Sequence, residues 1–194
     1  MWHRLLSSAK FYELLLKFDE DLSAEARAAG CQECGGRLDR ANYPRKPRGA
    51  MAKLVEGYQL RFSFCCAQEG CRRRHTPPSL RFLGRRVYLG AIVVLASAMQ
   101  QGATPVRARR LRELLGVSER TLWRWRQWWQ STLVQSEFWK AAQAFFVPPA
   151  QPSGLPASLL ERFGGDEESR LVALLRFLKP LSTPAGYVPE QGRG

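Results

Sequence analysis

The sequence predicts a mainly α protein with a small β zinc ribbon and a trihelical helix-turn-helix domain, on three observations. Two cysteine knuckles, Cys31-Gln-Glu-Cys34 and Cys66-x4-Cys71, lie about thirty residues apart. A helical corner, TPVRARRLRELLGVSERTLWRWRQWWQ, occupies Thr104 to Gln130. Between Arg72 and Arg126 stand thirteen Arg, no Lys and two acids, Glu113 and Glu119, so this window carries +11 of the chain's formal +13.

Residues 1–30 predict two short packing helices. Phe11, Leu14, Leu15 and Phe18 recur at helical spacing over Ser8 to Phe18, and an alanine-rich helix over Leu22 to Ala29 stops at Gly30.

Residues 31–79 predict the ribbon. A C-x2-C followed by glycines lets two thiolates converge on one ion, glycine supplying the positive φ of the tight turn. Leu60 to Phe64 alternates like a strand and runs into the second knuckle, where Gly70 turns the chain. Cys31, Cys34, Cys66 and Cys71 then make a four-thiolate tetrahedral site for Zn2+. Cys66 is preferred to Cys65 because it shares strand phase with Phe62 and Phe64; Cys65 in its place, or His75 in place of one thiol, are the alternatives. A redox C-x-x-C sits at a helix N-terminus within an α/β pattern, which this stretch lacks. So small a ribbon buries little apolar surface, and bound zinc would supply on the order of 10 kcal/mol of apparent folding free energy. Between the knuckles, Arg37 to Gly57 reads as an open basic loop around YPRKPRGA, suited to a phosphate backbone, a minor groove or plain solvent.

Residues 80–147 predict the helix-turn-helix domain with a following helix. A support helix over Arg85 to Gln101 buries Tyr88, Leu89, Ile92, Val93 and Ala96 and is closed by Gly102. Thr104 and Pro105 open the next helix, Gly116 ends it, and Ser118 caps the one after. Leu111, Leu114, Leu115, Val117, Leu122, Trp125 and Trp129 pack the corner. The opposite face of the second helix, Ser118 to Gln130, presents Arg120, Arg124 and Gln127 beside Trp123. Arginine and glutamine fork onto guanine and adenine edges in the major groove, so this is the expected recognition helix, with Arg85, Arg107 and Arg110 assigned to DNA phosphates. Four indoles within seven residues cannot share one helix face. Trp125 and Trp129 go inward, Trp128 beneath Phe138, Trp139 and Phe145 of the helix Glu137 to Phe146, and Trp123 outward. Residues 148–194 complete the chain with a Pro148-Pro149 and PSGLP linker, two short helices (Leu155 to Phe163 and Asp166 to Lys179) and a flexible tail.

Composition bounds the rest. With 194 residues and 45% hydrophobic content the chain can build a core, and a pI near 10.2 calls for a polyanionic partner, nucleic acid before an acidic membrane. No apolar run approaches the roughly 20 residues that span a bilayer, and the N-terminus lacks the apolar region and small-residue cleavage site of a signal peptide. The expected location is the cytoplasm, where five reduced cysteines point to metal before disulfides.

The order of features resembles a family. A C-x-x-C-G ribbon, a second knuckle followed by an Arg-rich strand, a support helix starting Val87-Tyr88-Leu89, and then L-x-x-L-L-G-V-S-x-x-T-L-W-R-W look like the N-terminal region of bacterial insertion-sequence transposases of the DDE type. The likeness covers Cys31 to Trp129. It implies that ribbon and helix-turn-helix bind the element's ends. In that family a separate RNase H-like domain with three metal-binding acids performs strand transfer, and the expectation is that the residues after Trp129, holding Asp166 and a few glutamates, do not form one. No phosphate loop, Ser/His/Asp set or H-E-x-x-H occurs, so the chain is not expected to be an enzyme. The expected function is sequence-specific binding of double-stranded DNA, as a regulator or accessory factor of a mobile element, with a second copy or a transposase as candidate protein partner. The alternative is an RNA-binding or assembly protein built on the same ribbon, its tryptophans stacking on bases.

Overall fold

A computed structural model describes residues 2–50, 52–83, 88–100 and 104–183, without the side chains of residues 2, 3, 107 and 108. The chain is mainly helical with a small antiparallel sheet. Helices α1 (Trp2–Leu6) and α2 (Ala9–Ala29) lead into strands β1 (Leu38–Arg40), β2 (Tyr43–Pro44), β3 (Leu60–Arg61), β4 (Phe64–Cys66) and β5 (Arg74–His75). Then follow α3 (Gly90–Met99), α4 (Pro105–Leu115), α5 (Glu119–Gln127), a π-helical turn (Trp128–Leu133), α6 (Glu137–Ala142), α7 (Ala157–Leu160) and α8 (Glu167–Leu178).

The two expected N-terminal helices are one. Nothing between Ala9 and Ala29 breaks a helix, and within it Asp19 is fully buried. Its Oδ2 pairs with Arg81 Nε at 2.7 Å and accepts from Ser79 Oγ, while Oδ1 accepts from Leu80 N at 2.6 Å. Arg81 Nη2 donates to Leu60 O at 2.9 Å, and its guanidinium lies over the rings of Phe62, Phe82 and Tyr58. One of the thirteen window arginines is therefore a core group joining α2 to the sheet, with no charge left for a partner.

The strand expected over Leu60 to Phe64 divides in two. Leu60–Arg61 pairs with Tyr43–Pro44 in a separate two-stranded ladder, while Phe64–Cys66 sits centrally in a sheet of order β1-β4-β5. Strands β1 and β2 also occupy part of the stretch expected to be an open loop.

Helix α3 is the centre of the fold. It starts at Gly90 instead of Arg85, because Tyr88 and Leu89 are extended and bridge to Arg48 and Phe82. Every residue from Gly90 to Ser97 is buried, the mark of a helix enclosed on all sides. Gly90 permits this closeness, since a Cβ there would lie 3.3 Å from both Leu175 Cδ2 and Leu80 O. Around α3 pack α1, α5, α7 and α8.

Helices α4 and α5 meet at Gly116, whose φ of 60° suits glycine, and Ser118 Oγ caps α5 by accepting from Thr121 N at 3.2 Å. Leu111, Leu115, Val117, Leu122, Trp125 and Trp129 are buried in this corner, as expected. Leu114 is 46% exposed and lies outside it. Regular α geometry stops at Gln127, where the π turn begins and Trp128 meets Trp129 edge-on at 4.8 Å. The following helix is shorter than expected, and Phe145 points out, 84% exposed, while Phe146 joins Trp139, Phe163 and Phe177 in an aromatic cluster. The Pro/Gly segment expected to be a linker places Ala150 and Leu155 in the same core as α8, whose leucines Leu171, Leu174, Leu175 and Leu178 are all buried. Proline and glycine here mark turns within a packed unit. Gly102, Val87 and the tail beyond Thr183 lie outside the described residues.

Candidate metal centre and nucleic-acid interface

Two turns bring four thiols together. In the first, Cys31 N donates to Gly36 O at 2.9 Å and Gly35 N to Cys31 O at 2.7 Å, closing Cys31–Gly36 into a tight loop. Gly36 is required by proximity: a Cβ there would stand 3.2 Å from Cys66 Sγ and 3.3 Å from Cys34 Sγ. In the second, Cys71 N donates to Gln68 O at 3.1 Å, and Arg72 follows at φ 46°. The turns are held face to face by the β1–β4 pairing of Leu38 with Cys66 and by Ala67 N donating to Arg37 O at 2.9 Å.

The result is that Sγ of Cys31, Cys34, Cys66 and Cys71 all lie within 4.8 Å of one another, with Cys31–Cys71 at 3.7 Å and Cys34–Cys66 at 3.5 Å. A tetrahedron with metal–sulfur bonds of about 2.3 Å has edges of about 3.8 Å. These four cysteines could bind a metal ion. Cys65, the alternative to Cys66, turns away and donates from Sγ to Arg72 O at 3.3 Å. Burial alternates along β4, with Phe64 and Cys66 inside and Cys65 half-exposed, and this is the strand phase on which Cys66 was preferred; Phe62, outside β4, is only half-buried. His75 Nε2 is 3.2 Å from Cys31 Sγ, beside the set of four and outside it.

The electrostatics suit a cation. Burial pushes the Cys31 thiol up, but the backbone of Glu33 and Cys34 and the His75 ring outweigh it and hold it at about 6. Burial raises Cys66. Cys34 is lowered by the Gly36 backbone yet raised overall by the Cys66 thiol and by burial, and Cys71 is lowered by the Arg73 backbone yet raised overall by burial and by its sulfur neighbours. Four thiols this close resist shared negative charge; a divalent ion removes that resistance.

The second region is the outer face of α5. Arg120, Trp123, Arg124 and Gln127 are all exposed, Trp123 at 59%, while Leu122 and Trp125 on the other side are 2% exposed. Tyr88 meets Trp125 edge-on at 5.0 Å and fixes the inner face. Arg110 is exposed on α4; Arg85 and the side chain of Arg107 lie outside the described residues. Arg112 pairs with Glu119 at 2.6 Å across the α4–α5 corner, in a contact open to solvent on the Glu119 side. Sequence reasoning passed over Arg126 as an individual residue. It lines a shallow cleft with Trp123, Pro105 and Arg112, and its i, i+3 relation to Trp123 is the signal that could have singled it out.

The tryptophan partition yields a direct expectation. Trp125→Ala should lower unfolding free energy by about 3–5 kcal/mol, as a large core truncation, whereas Trp123→Ala should melt close to the parent. Thermal and urea unfolding of the two variants check it; early melting confined to Trp123→Ala would reverse the assigned helix phase.

No helix among the described residues is long and apolar enough to cross a membrane. No family model, curated protein or solved structure matches the chain.

Proposed function

We propose that the protein binds double-stranded DNA through α5, with α4, the Gly116 turn and α5 acting as a helix-turn-helix and the cysteine cluster holding Zn2+ as the core of a zinc ribbon. The observation that carries this reading is the exposed row Arg120, Trp123, Arg124 and Gln127 on a helix whose opposite face is locked into the core. A rigidly mounted helix with forked donors outward is what reading base edges in a major groove demands. Arginine supplies bidentate geometry that lysine lacks. Trp123 would pack on a deoxyribose or a thymine methyl. The four-thiolate donor set fits zinc by charge, softness and edge length; an iron–sulfur centre is the other tetrahedral-sulfur outcome, separated by metal analysis and absorption. By its resemblance to transposase N-terminal regions, the protein would serve a mobile element as regulator or accessory factor.

Selection of bound sequences from a random duplex pool tests this reading, followed by anisotropy titration. Arg120→Ala and Arg124→Ala should each cost roughly 1–3 kcal/mol and relax base preference, whereas Arg110→Ala should weaken all sequences alike. With about six phosphates neutralised, log affinity should fall against log salt with a slope near −5. Recovery of no preferred sequence, together with a flat salt dependence, overturns the proposal. The exposure of Trp123 also favours a second reading, a stacking platform for single-stranded RNA; tighter binding to unpaired RNA than to duplex DNA would establish it instead.

A further inference from the structure

We infer that the basic segment Pro44–Gly49 is a second duplex-DNA contact, a fixed ridge that grips backbone phosphates flanking the site read by α5. The inference rests on the DNA-binding reading of α5 but draws on different residues. From Arg40 to Val55 the chain has five cations, Arg40, Arg45, Lys46, Arg48 and Lys53, and no acid. A basic stretch of this kind is ordinarily a mobile, solvated loop. This one is tied down at four points.

Arg45 N donates to Gln59 O at 2.8 Å, extending the β2–β3 ladder, and the Arg45 guanidinium lies 5.3 Å over the Phe82 ring. Arg48 bridges in parallel to Tyr88, the residue whose ring meets Trp125 of α5. Gly49, at φ 89°, presses against α3 so closely that a Cβ would lie 3.0 Å from Ile92 Cγ2. Pro44 and Pro47 further restrict the backbone between these anchors. Although the backbone is so constrained, the side chains of Lys46 and Arg48 are exposed and take part in no ion pair among the described residues. A rigid mount for charges that serve no internal partner is the arrangement expected of a preorganised anion contact, since little ordering entropy remains to be lost on binding. An extended row of cations suits a polyanion better than a separate small anion: Arg74, whose guanidinium lies 5.8 Å from the Tyr43 ring, continues the ridge toward the cysteine-bearing sheet. The contacts Arg48–Tyr88 and Tyr88–Trp125 fix the ridge to the core-facing side of α5, so that it belongs to the same packed body as the outward row.

The test uses the full chain and a double variant, Lys46→Ala with Arg48→Ala, on duplexes carrying the selected sequence with flanks of increasing length. The expected result is a salt slope shallower by about 2, one for each lost phosphate contact, and a protected footprint that shortens on one flank. Base preference and melting temperature should match the parent. Unchanged slope and footprint, with Arg120→Ala still weakening binding, overturn the ridge and leave the α5 reading intact. If the double variant loses duplex binding while Arg120→Ala and Arg124→Ala have no effect, the ridge stands as a DNA contact and the α5 reading fails. If the parent binds no duplex at all, both fail together.

Discussion

A Cys34→Ser protein is expected to lose its metal and melt well below the parent, while a Cys65→Ser protein keeps both. The two substitutions are the same chemical change about thirty residues apart, and only the geometry separates them. Cys34 Sγ is 3.5 Å from Cys66 Sγ inside the cluster, whereas Cys65 Sγ faces the Arg72 carbonyl outside it. The apolar cluster around the site contains little beyond Leu38 and Phe64 with Cys31 and Cys66, so packing alone gives this sheet slight support. Structural zinc sites of this size contribute on the order of 10 kcal/mol of apparent folding free energy, and chelation unfolds them. Chelator added to the parent should therefore mimic Cys34→Ser, with loss of amide protection concentrated between Cys31 and His75. Binding displaces protons from thiols, three of them raised, so metal affinity should fall as pH is lowered. Gly36→Ala is a milder probe of the same site: the added methyl meets two of the four clustered sulfurs and should weaken metal binding without removing a thiol. One metal per chain in the parent and in Cys65→Ser, and none in Cys34→Ser, is the pattern to be read by elemental analysis. Metal retained by Cys34→Ser, or lost by Cys65→Ser, would break it.

What could be read from the residues was local. C-x2-C-G-G and C-x4-C specify their turns through spacing and glycine, and those turns form at Cys31–Gly36 and Cys66–Cys71. The helical corner is local too, since Gly116 and Ser118 act on their immediate neighbours and the leucine and tryptophan stripe repeats at helical period. Several of the differences depended on a distant partner. Nothing near Asp19 announces Arg81, so an arginine counted in the basic window turns out to be buried in an ion pair. Tyr88 and Leu89 fit a helical stripe as well as they fit an extended segment, and only Arg48 and Phe82 across the fold decide between the two. Phe145 and Phe146 are equivalent in sequence, yet the cluster formed by Trp139, Phe163 and Phe177 has room for one of them. The basic segment at Lys46 is the same lesson from the other side, because its charge is visible in the sequence and its rigidity comes from α3 and Phe82.

Asp19→Ala should destabilise the fold by about 3–5 kcal/mol or more, while Asp21→Ala, the same change two residues along the same helix, should cost less than about 0.5 kcal/mol. Asp21 pairs with Lys17 at 3.2 Å with both side chains more than half exposed, and water replaces whatever the pair contributes. Asp19 has no such substitute. Its carboxylate is the counter-charge of Arg81, and both side chains are completely buried. It also accepts from Ser79 Oγ and Leu80 N, so its removal leaves buried donors unsatisfied as well as a guanidinium uncompensated. A second buried arginine shares the consequence. Arg61 is 1% exposed, burial pulls its pKa down to about 10 against the opposing pull of Asp19, and its Nη1 has no hydrogen-bond partner among the described residues. Asp19→Ala thus places two buried cations in one core with no acid between them. Replacing Arg81 as well, in an Asp19→Leu with Arg81→Met protein, should recover part of the loss, because a buried ion pair exchanged whole for apolar groups is far less costly than one broken in half. Urea unfolding of the three variants measures the ordering directly: Asp21→Ala near the parent, the double variant between, and Asp19→Ala least stable. An Asp19→Ala protein as stable as Asp21→Ala would mean that water reaches the pair, and that α2 is joined to the sheet by its apolar face alone.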